Sequence, residues 1–204
     1  MTESFDVLIV GGGAAGMSCA LILGSAKEKT FAKDKKIGII LHQKSSHLQT
    51  ALFNNVLGLN AGTTGADILE KGATQLSTLY SHVEQIHNEK VLELKRNKHT
   101  IEVVTAKASY QTKLVVIAVG YTKLFFIKGL TNYVEPHQKA KAEKERIQLK
   151  NTDHLVTDGV YVAGTLAGWR SQFAIACGSG ASVATDILTL WNNGEHTKVH
   201  DKIS

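Results

Sequence analysis

A short apolar run, residues 5–10 (Phe-Asp-Val-Leu-Ile-Val), breaks into Gly11-Gly12-Gly13-Ala14-Ala15-Gly16 and then resumes as a stretch of small apolar residues. That succession leaves few folds open. A strand buried on both faces reads as a near-continuous branched apolar run. A glycine turn that ends such a strand and opens a helix is the phosphate-cradling corner of a βαβ unit. Gly11, Gly13 and Gly16 fit G-x-G-x-x-G, with Gly12 as an extra glycine. The first permits the tight turn, the second lets main chain approach a pyrophosphate, and the third lets helix and strand pack closely. A helix starting near Ala14 points unpaired N–H groups at that anion. Residues 17–26 predict the helix, 27–36 its end and a charged connection, and 37–41 a second buried strand. The order is that of an α/β, Rossmann-like nucleotide-binding domain, a parallel sheet with helices.

Beyond this unit, residues 48–60 read as loop or broken helix. Residues 64–80 predict a helix, with Ile68, Leu69, Ala73, Leu76 and Leu79 at helical spacing and Asp67 and Glu70 in its first turns. Segments 91–94, 101–105 and 109–112 predict short strands in a small antiparallel β-meander. Residues 114–119 predict a separate buried strand ending at Gly120. Residues 130–151 are polar and lysine-rich and hold the single proline, Pro136. They predict either a short helix over 138–146 or a mobile connection. Another buried strand is expected at 159–163, closed by Gly164, then a helix over 172–191 and a frayed tail from 195. The expected organisation is one domain over 1–192, formed from 1–130 and 157–192 and bridged by 131–156, with 193–204 as tail.

Composition excludes several classes. A hydrophobic share of 43% and a charged share of 20% fit a globular protein rather than a disordered one. The net charge of +5 comes from lysine runs interrupted by acids, without interleaved aromatics, which argues against nucleic-acid binding. Cys19 and Cys177 show neither Cys-x-x-Cys nor metal-ligand spacing, so each is expected to be a small buried core residue in a reducing compartment. No signal peptide is read at the N-terminus, and the apolar runs read as too short for a bilayer, so the expected location is cytoplasmic, without a membrane partner. His196 and His200 share i, i+4 spacing but lack a third ligand, so no metal is expected. Ser179 sits inside a helical pattern and is not a nucleophile elbow.

Six landmarks in order carry a family resemblance. They are Gly11 to Gly16; Asn55-Val56-Leu57-Gly58; Gly65-Ala66-Asp67-Ile68-Leu69; Ile117-Ala118-Val119-Gly120; Gly159-Val160-Tyr161-Val162-Ala163-Gly164; and Gln172 with Gly178-Ser179-Gly180. The chain resembles the flavin-binding part of the low-molecular-weight thioredoxin reductase family, within the FAD-dependent pyridine nucleotide-disulfide oxidoreductases. The resemblance implies a flavoprotein oxidoreductase with FAD as cofactor. Gly11, Gly12, Gly13, Ala14, Ala15 and Gly16 would hold the pyrophosphate, and His42 with Gln43 would lie by the adenosine ribose. Thr50 and Asn55 would approach the ribityl and flavin side, and Val91 would offer its backbone to the adenine. Ala118, Val119 and Gly120 would pass along the dinucleotide. Gly164 and Thr165 would meet the ribityl chain and phosphate. Gln172 and Phe173 would open a helix aimed at the flavin pyrimidine edge, where a helix N-terminus stabilises negative charge on reduction. Trp169 and Arg170 either cover a flavin edge or are plain packing and a surface cation.

Three departures from the family pattern stand out. His42 occupies the place of the ribose carboxylate, as a ribose contact or a surface histidine. Thr165 replaces the late aspartate. A charged hydrogen bond contributes roughly 1.5–3 kcal/mol, so the two losses could cost about 3–6 kcal/mol, on the order of 10²- to 10⁴-fold in affinity. The third departure is that the family's NADPH domain, with its redox Cys-x-x-Cys, is replaced by a short bridge. Three functions stay open: a flavoprotein using an external electron donor and acceptor; an NADP(H)-binding domain with His42 to Ser45 receiving a 2′-phosphate; or a non-catalytic nucleotide- or partner-binding domain. No catalytic acid, base or nucleophile is identified. A homodimer is an expectation, since loss of a neighbouring domain uncovers apolar surface.

Overall fold

The computed structural model describes residues 3–42 and 46–200. Strand β1 (Glu3–Val10) alternates its side chains between two cores from Val7 onward. Val7 and Ile9 point into one, Phe5, Leu8 and Val10 into the other. Both faces being covered is why the strand reads as an unbroken apolar run. Strand β2 (Ile37–Leu41) lies parallel to it, with Val7 opposite Ile37 and Val10 opposite Ile40. Between them runs α1 (Ala14–Ser25). This is the expected βαβ unit.

The chain continues through β3 (Leu52–Phe53), β4 (Thr63–Thr64) and α2 (Gly65–Leu79). Next come β5 (Glu84–His87), β6 (Val91–Arg96), β7 (Ile101–Thr105) and β8 (Ser109–Ile117). A two-stranded ribbon, β9 (Val134–Pro136) with β10 (Ile147–Leu149), precedes β11 (Leu155–Thr157), β12 (Val160–Val162) and α3 (Phe173–Trp191). The main sheet runs β11-β12-β8-β1-β2-β5, with β7 and β6 added beyond the first half of β8. Strands β12, β8, β1, β2 and β5 are parallel; β6, β7 and the start of β8 form the antiparallel meander. In the meander the buried Glu89 carboxylate accepts hydrogen bonds from the hydroxyls of Tyr110, at 2.8 Å, and Thr105.

Helices α1 and α3 cover one face through Cys19, Ala20, Leu23, Val183, Ala184, Ile187 and Leu188. They approach so closely that a Cβ on Gly180 would stand 1.9 Å from the Ala15 carbonyl oxygen. The meander, with Ile127, Leu130, Leu149 and Leu166, covers the other face.

Several expectations are corrected. Segments 109–112 and 114–119 are one strand, β8, which ends at Ile117. The bridge forms neither a helix over 138–146 nor a loose connection, but the β9–β10 ribbon with a 3-10 turn at Ala142–Lys144. Two edge strands with little burial, β5 and β11, were not expected. The tail packs in part, with Thr197 buried and Val199 against the core. Cys19 is fully buried, whereas Cys177 is only partly so. Helix α3, with 19 residues and a mean hydropathy of 1.4, is long and apolar enough by composition to cross a bilayer. Its Val183, Ala184, Ile187 and Leu188 are instead buried against the sheet and α1.

Candidate functional site

The C-terminal ends of the parallel strands gather the glycine turn, the Ala118 to Gly120 segment and the Gly164 loop. The Gly11 amide donates to Ile40 (3.0 Å), the Ala118 amide to Val10 (2.8 Å) and the Ala163 amide to Ile117 (2.9 Å), so these exits lie side by side. The turn is sterically sealed at two glycines. Gly11 has φ +113°, and a Cβ there would stand 2.4 Å from the Ala118 carbonyl oxygen; one on Gly16 would stand 1.8 Å from the Gly11 carbonyl oxygen. Gly13 is open, its nearest neighbour for a Cβ being the Ser46 hydroxyl at 3.9 Å.

Helix ends differ in a way that bears on ligands. Helix α2 is capped by Thr64, whose hydroxyl accepts the Asp67 amide, and Asp67 supplies an acid in the first turn. Helices α1 and α3 begin at Gly13 and Gln172 with no side-chain cap and no acid in their first turns. Their leading amides, Ala14 and Ala15 in α1 and Phe173 in α3, are orphan donors with the positive end of the helix dipole behind them. A pyrophosphate fits the first of these sites, which offers main-chain amides, room at Gly13 and no acid in the first turn of α1.

The other site candidates are distributed as follows. His42 is exposed at the end of β2; Gln43 lies outside the described residues. Thr50 ends a 3-10 turn, His47–Thr50, and is exposed, as is Asn55. Phe173 meets Phe53 with ring centroids 4.9 Å apart, which joins the start of α3 to the β3 hairpin. Val91 is buried in the same core as Ile40 and Ile86, paired with Thr105 across the meander. Val119 is partly buried, and Gly120 and Gln172 are exposed. The Gly164 amide is already committed to the Ser179 hydroxyl at 2.8 Å. The Thr165 carbonyl faces His137 Nε2 at 3.1 Å. Because the Lys139 amide donates to His137 Nδ1 (3.1 Å), the ring proton is on Nε2 and is donated to Thr165.

The residues that pattern reading missed arrive by tertiary contact. Tyr121, directly after Gly120, receives His47 and His137 edge-on at 5.8 and 5.4 Å, while the Arg146 guanidinium lies 5.1 Å over its ring. His154 stacks on Trp169 with centroids 5.8 Å apart and planes 6° from parallel, and Lys139 sits 5.2 Å from the same indole. Burial holds the His154 imidazole below the usual histidine range, against the upward pull of Asp186 and Asp153. Among the described residues no group of three metal-ligating side chains forms. Cys177 is a free thiol pushed upward by burial, with no cysteine partner.

Residues 5–181 match the pyridine nucleotide-disulphide oxidoreductase family, and the chain belongs to it. Among curated relatives, ferredoxin–NADP reductase from Streptococcus gordonii is 30% identical over 125 residues, 59% of this chain and 36% of the relative. The corresponding enzyme from Streptococcus sanguinis is 29% identical over the same shares. The chain thus spans about a third of the length of the curated relatives it matches. The fold is that of the thioredoxin reductases. A thioredoxin reductase from Gloeobacter violaceus superposes with a TM-score of 0.73 at 15% identity, covering 100% of both chains. A ferredoxin-flavin thioredoxin reductase from Clostridium acetobutylicum superposes with a TM-score of 0.69 at 17% identity, covering 94% of this chain and 100% of the other.

Proposed function

We propose that the chain binds FAD across the C-terminal edge of its parallel sheet and serves as the flavin domain of an oxidoreductase. Its electron donor and acceptor come from outside residues 1–192. The observation that carries this reading is the pair of uncapped helix starts. Gly13 opens α1 over a turn sealed at Gly11 and Gly16, and Gln172 opens α3 beside the β3 hairpin, where Phe173 meets Phe53. A dinucleotide needs an anion cradle at its middle and a donor end for the reduced ring.

The α1 amides and the glycine turn hold the diphosphate. The α3 start, where Phe173 meets Phe53, would offer backbone donors to the ring's pyrimidine edge. Bound FAD supplies hydride and electron exchange; the protein positions it and sets its electrostatics. The names of the curated relatives support ferredoxin or a nicotinamide nucleotide as exchange partners. The location consistent with two free cysteines is the cytoplasm.

The test is direct. Purified protein should be yellow, or turn yellow on adding FAD, and release FAD on denaturation. Protein that takes up no FAD but binds NADPH would replace this reading with the NADP(H) one, in which His42 at the end of β2 receives a 2′-phosphate. Flavin that binds but is reduced by neither NAD(P)H nor reduced ferredoxin would leave a binding domain without redox exchange.

A further inference from the structure

The bridge that stands between the two blocks brings a cation to the open edge of the sheet. We infer that Arg146 is a phosphate-binding residue of the nucleotide site, recognising the diphosphate; this rests on the reading that a nucleotide lies over the glycine turn. Three observations meet here.

First, the guanidinium is held by a stack rather than by an acid. It lies 5.1 Å over the Tyr121 ring, a cation–π contact that orients the guanidinium plane without neutralising its charge. Second, its Nε is buried and has no hydrogen-bond partner. Among the described residues no carboxylate pairs with it. Glu145 is taken by Lys123, and Glu135 accepts the Gln148 amide at 2.7 Å. Third, its backbone is fixed and its surroundings lead to the turn. The Arg146 carbonyl accepts the His137 amide at 2.9 Å, and Arg146 bridges to Thr122. Tyr121 beneath it touches His47, the neighbour of Ser46, whose hydroxyl is the atom nearest the open side of Gly13.

A planar five-donor fork without a counter-ion is suited to phosphate oxygens, which it grips in a bidentate manner. The sequence supplies the complementary half of the argument. With His42 and Thr165 standing where the resemblance places carboxylates, recognition of ribose and ribityl hydroxyls is weakened. A bridge-borne arginine moves recognition toward the phosphates. Binding should then depend strongly on salt and tolerate changes at the flavin end.

Calorimetric titration of the full chain with FAD, and separately with ADP, at low and high salt tests this. Arg146→Met keeps the apolar stem and should weaken both ligands about ten- to a hundredfold, and flatten the salt dependence. Arg146→Lys should recover part of the affinity and the salt dependence. Arg146→Gln is a second neutral variant should the methionine disturb folding, judged by circular dichroism. Neutral variants that bind ADP and FAD like the wild type overturn the inference. Wild-type protein that binds ADP through Arg146 but not FAD removes the flavin reading and leaves the arginine assignment standing. Wild-type protein that binds neither overturns both.

Discussion

His154 Nε2 lies 2.9 Å from the Ser179 hydroxyl, and the same hydroxyl oxygen accepts the Gly164 amide at 2.8 Å. A hydroxyl has one proton to give and lone pairs to receive, so Ser179 serves the imidazole and the amide at once. One side chain of α3 thus ties the late glycine loop to the β11 edge. Ser179→Ala would leave a buried amide and a buried imidazole nitrogen without partners, a loss of about 1–3 kcal/mol for a stranded polar group. Urea unfolding should show the midpoint fall, at unchanged slope, by that free energy divided by the slope; an unmoved midpoint would show that the contact does not stabilise the loop.

Acid should destabilise the protein through the same histidine. Burial lowers His154 below its unfolded value of about 6.5, as burial and Lys27 do for His82. Above that pH both folded and unfolded forms are neutral and stability is flat. As pH falls through it the unfolded chain takes up the proton first, so stability drops, then levels once the folded histidine also titrates. Melting temperature should therefore fall from about pH 7.5 to about 5.5. His154→Phe retains a ring against Trp169 and should remove part of that slope, the remainder belonging to His82. A slope identical to the wild type would show that His154 titrates normally.

The opening unit was legible because β1 and β2 are buried on both faces and the glycines interrupt them at the point where the chain turns. The edges were not. In β5 only Ile86 is buried, so the pattern of Glu84 to His87 reads as polar loop. β8 was divided at Lys113, a residue whose side chain leaves the sheet to reach Asp6 at 2.9 Å and breaks no strand. Pro136 has no amide to give a ladder, yet it closes a two-stranded ribbon in which a missing amide is tolerated. At the site, the glycine turn carries a local signature, whereas Tyr121, His137 and Arg146 meet only because the bridge folds back over β8. No spacing rule links positions so placed.

The glycine turn separates folding from binding. Gly11→Ala puts a Cβ against the Ala118 carbonyl at a backbone angle of +113°. It should cost about 1–3 kcal/mol or more in stability. Gly13 has an ordinary φ of −79° and open space before it. Gly13→Ala should lower stability by about 1 kcal/mol or less, as a poorer helix start, while placing a methyl where a diphosphate would rest. Thermal melts of the unliganded variants, paired with FAD titration, read both effects. Equal affinity in Gly13→Ala and wild type would place the nucleotide elsewhere.

Restoring the two carboxylates should reverse the weakening that the sequence implies. His42 is exposed at the end of β2 and Thr165 is partly exposed in the loop after β12, so neither replacement enters the core. If the adenosine ribose lies by residue 42 and the ribityl chain by residue 165, each new acceptor adds a charge-assisted hydrogen bond. Such a bond is worth roughly 1.5–3 kcal/mol, about ten- to a hundredfold in affinity. His42→Glu should tighten FAD, and should weaken NADPH if that ligand binds, because a carboxylate repels a 2′-phosphate. Thr165→Asp should tighten FAD while leaving ADP unaffected, since ADP has no ribityl chain to reach it. Should both variants bind FAD no better than the wild type, the assignment of ribose and ribityl ends to these two positions is wrong. If His42→Glu alone fails, the error is confined to the adenosine end.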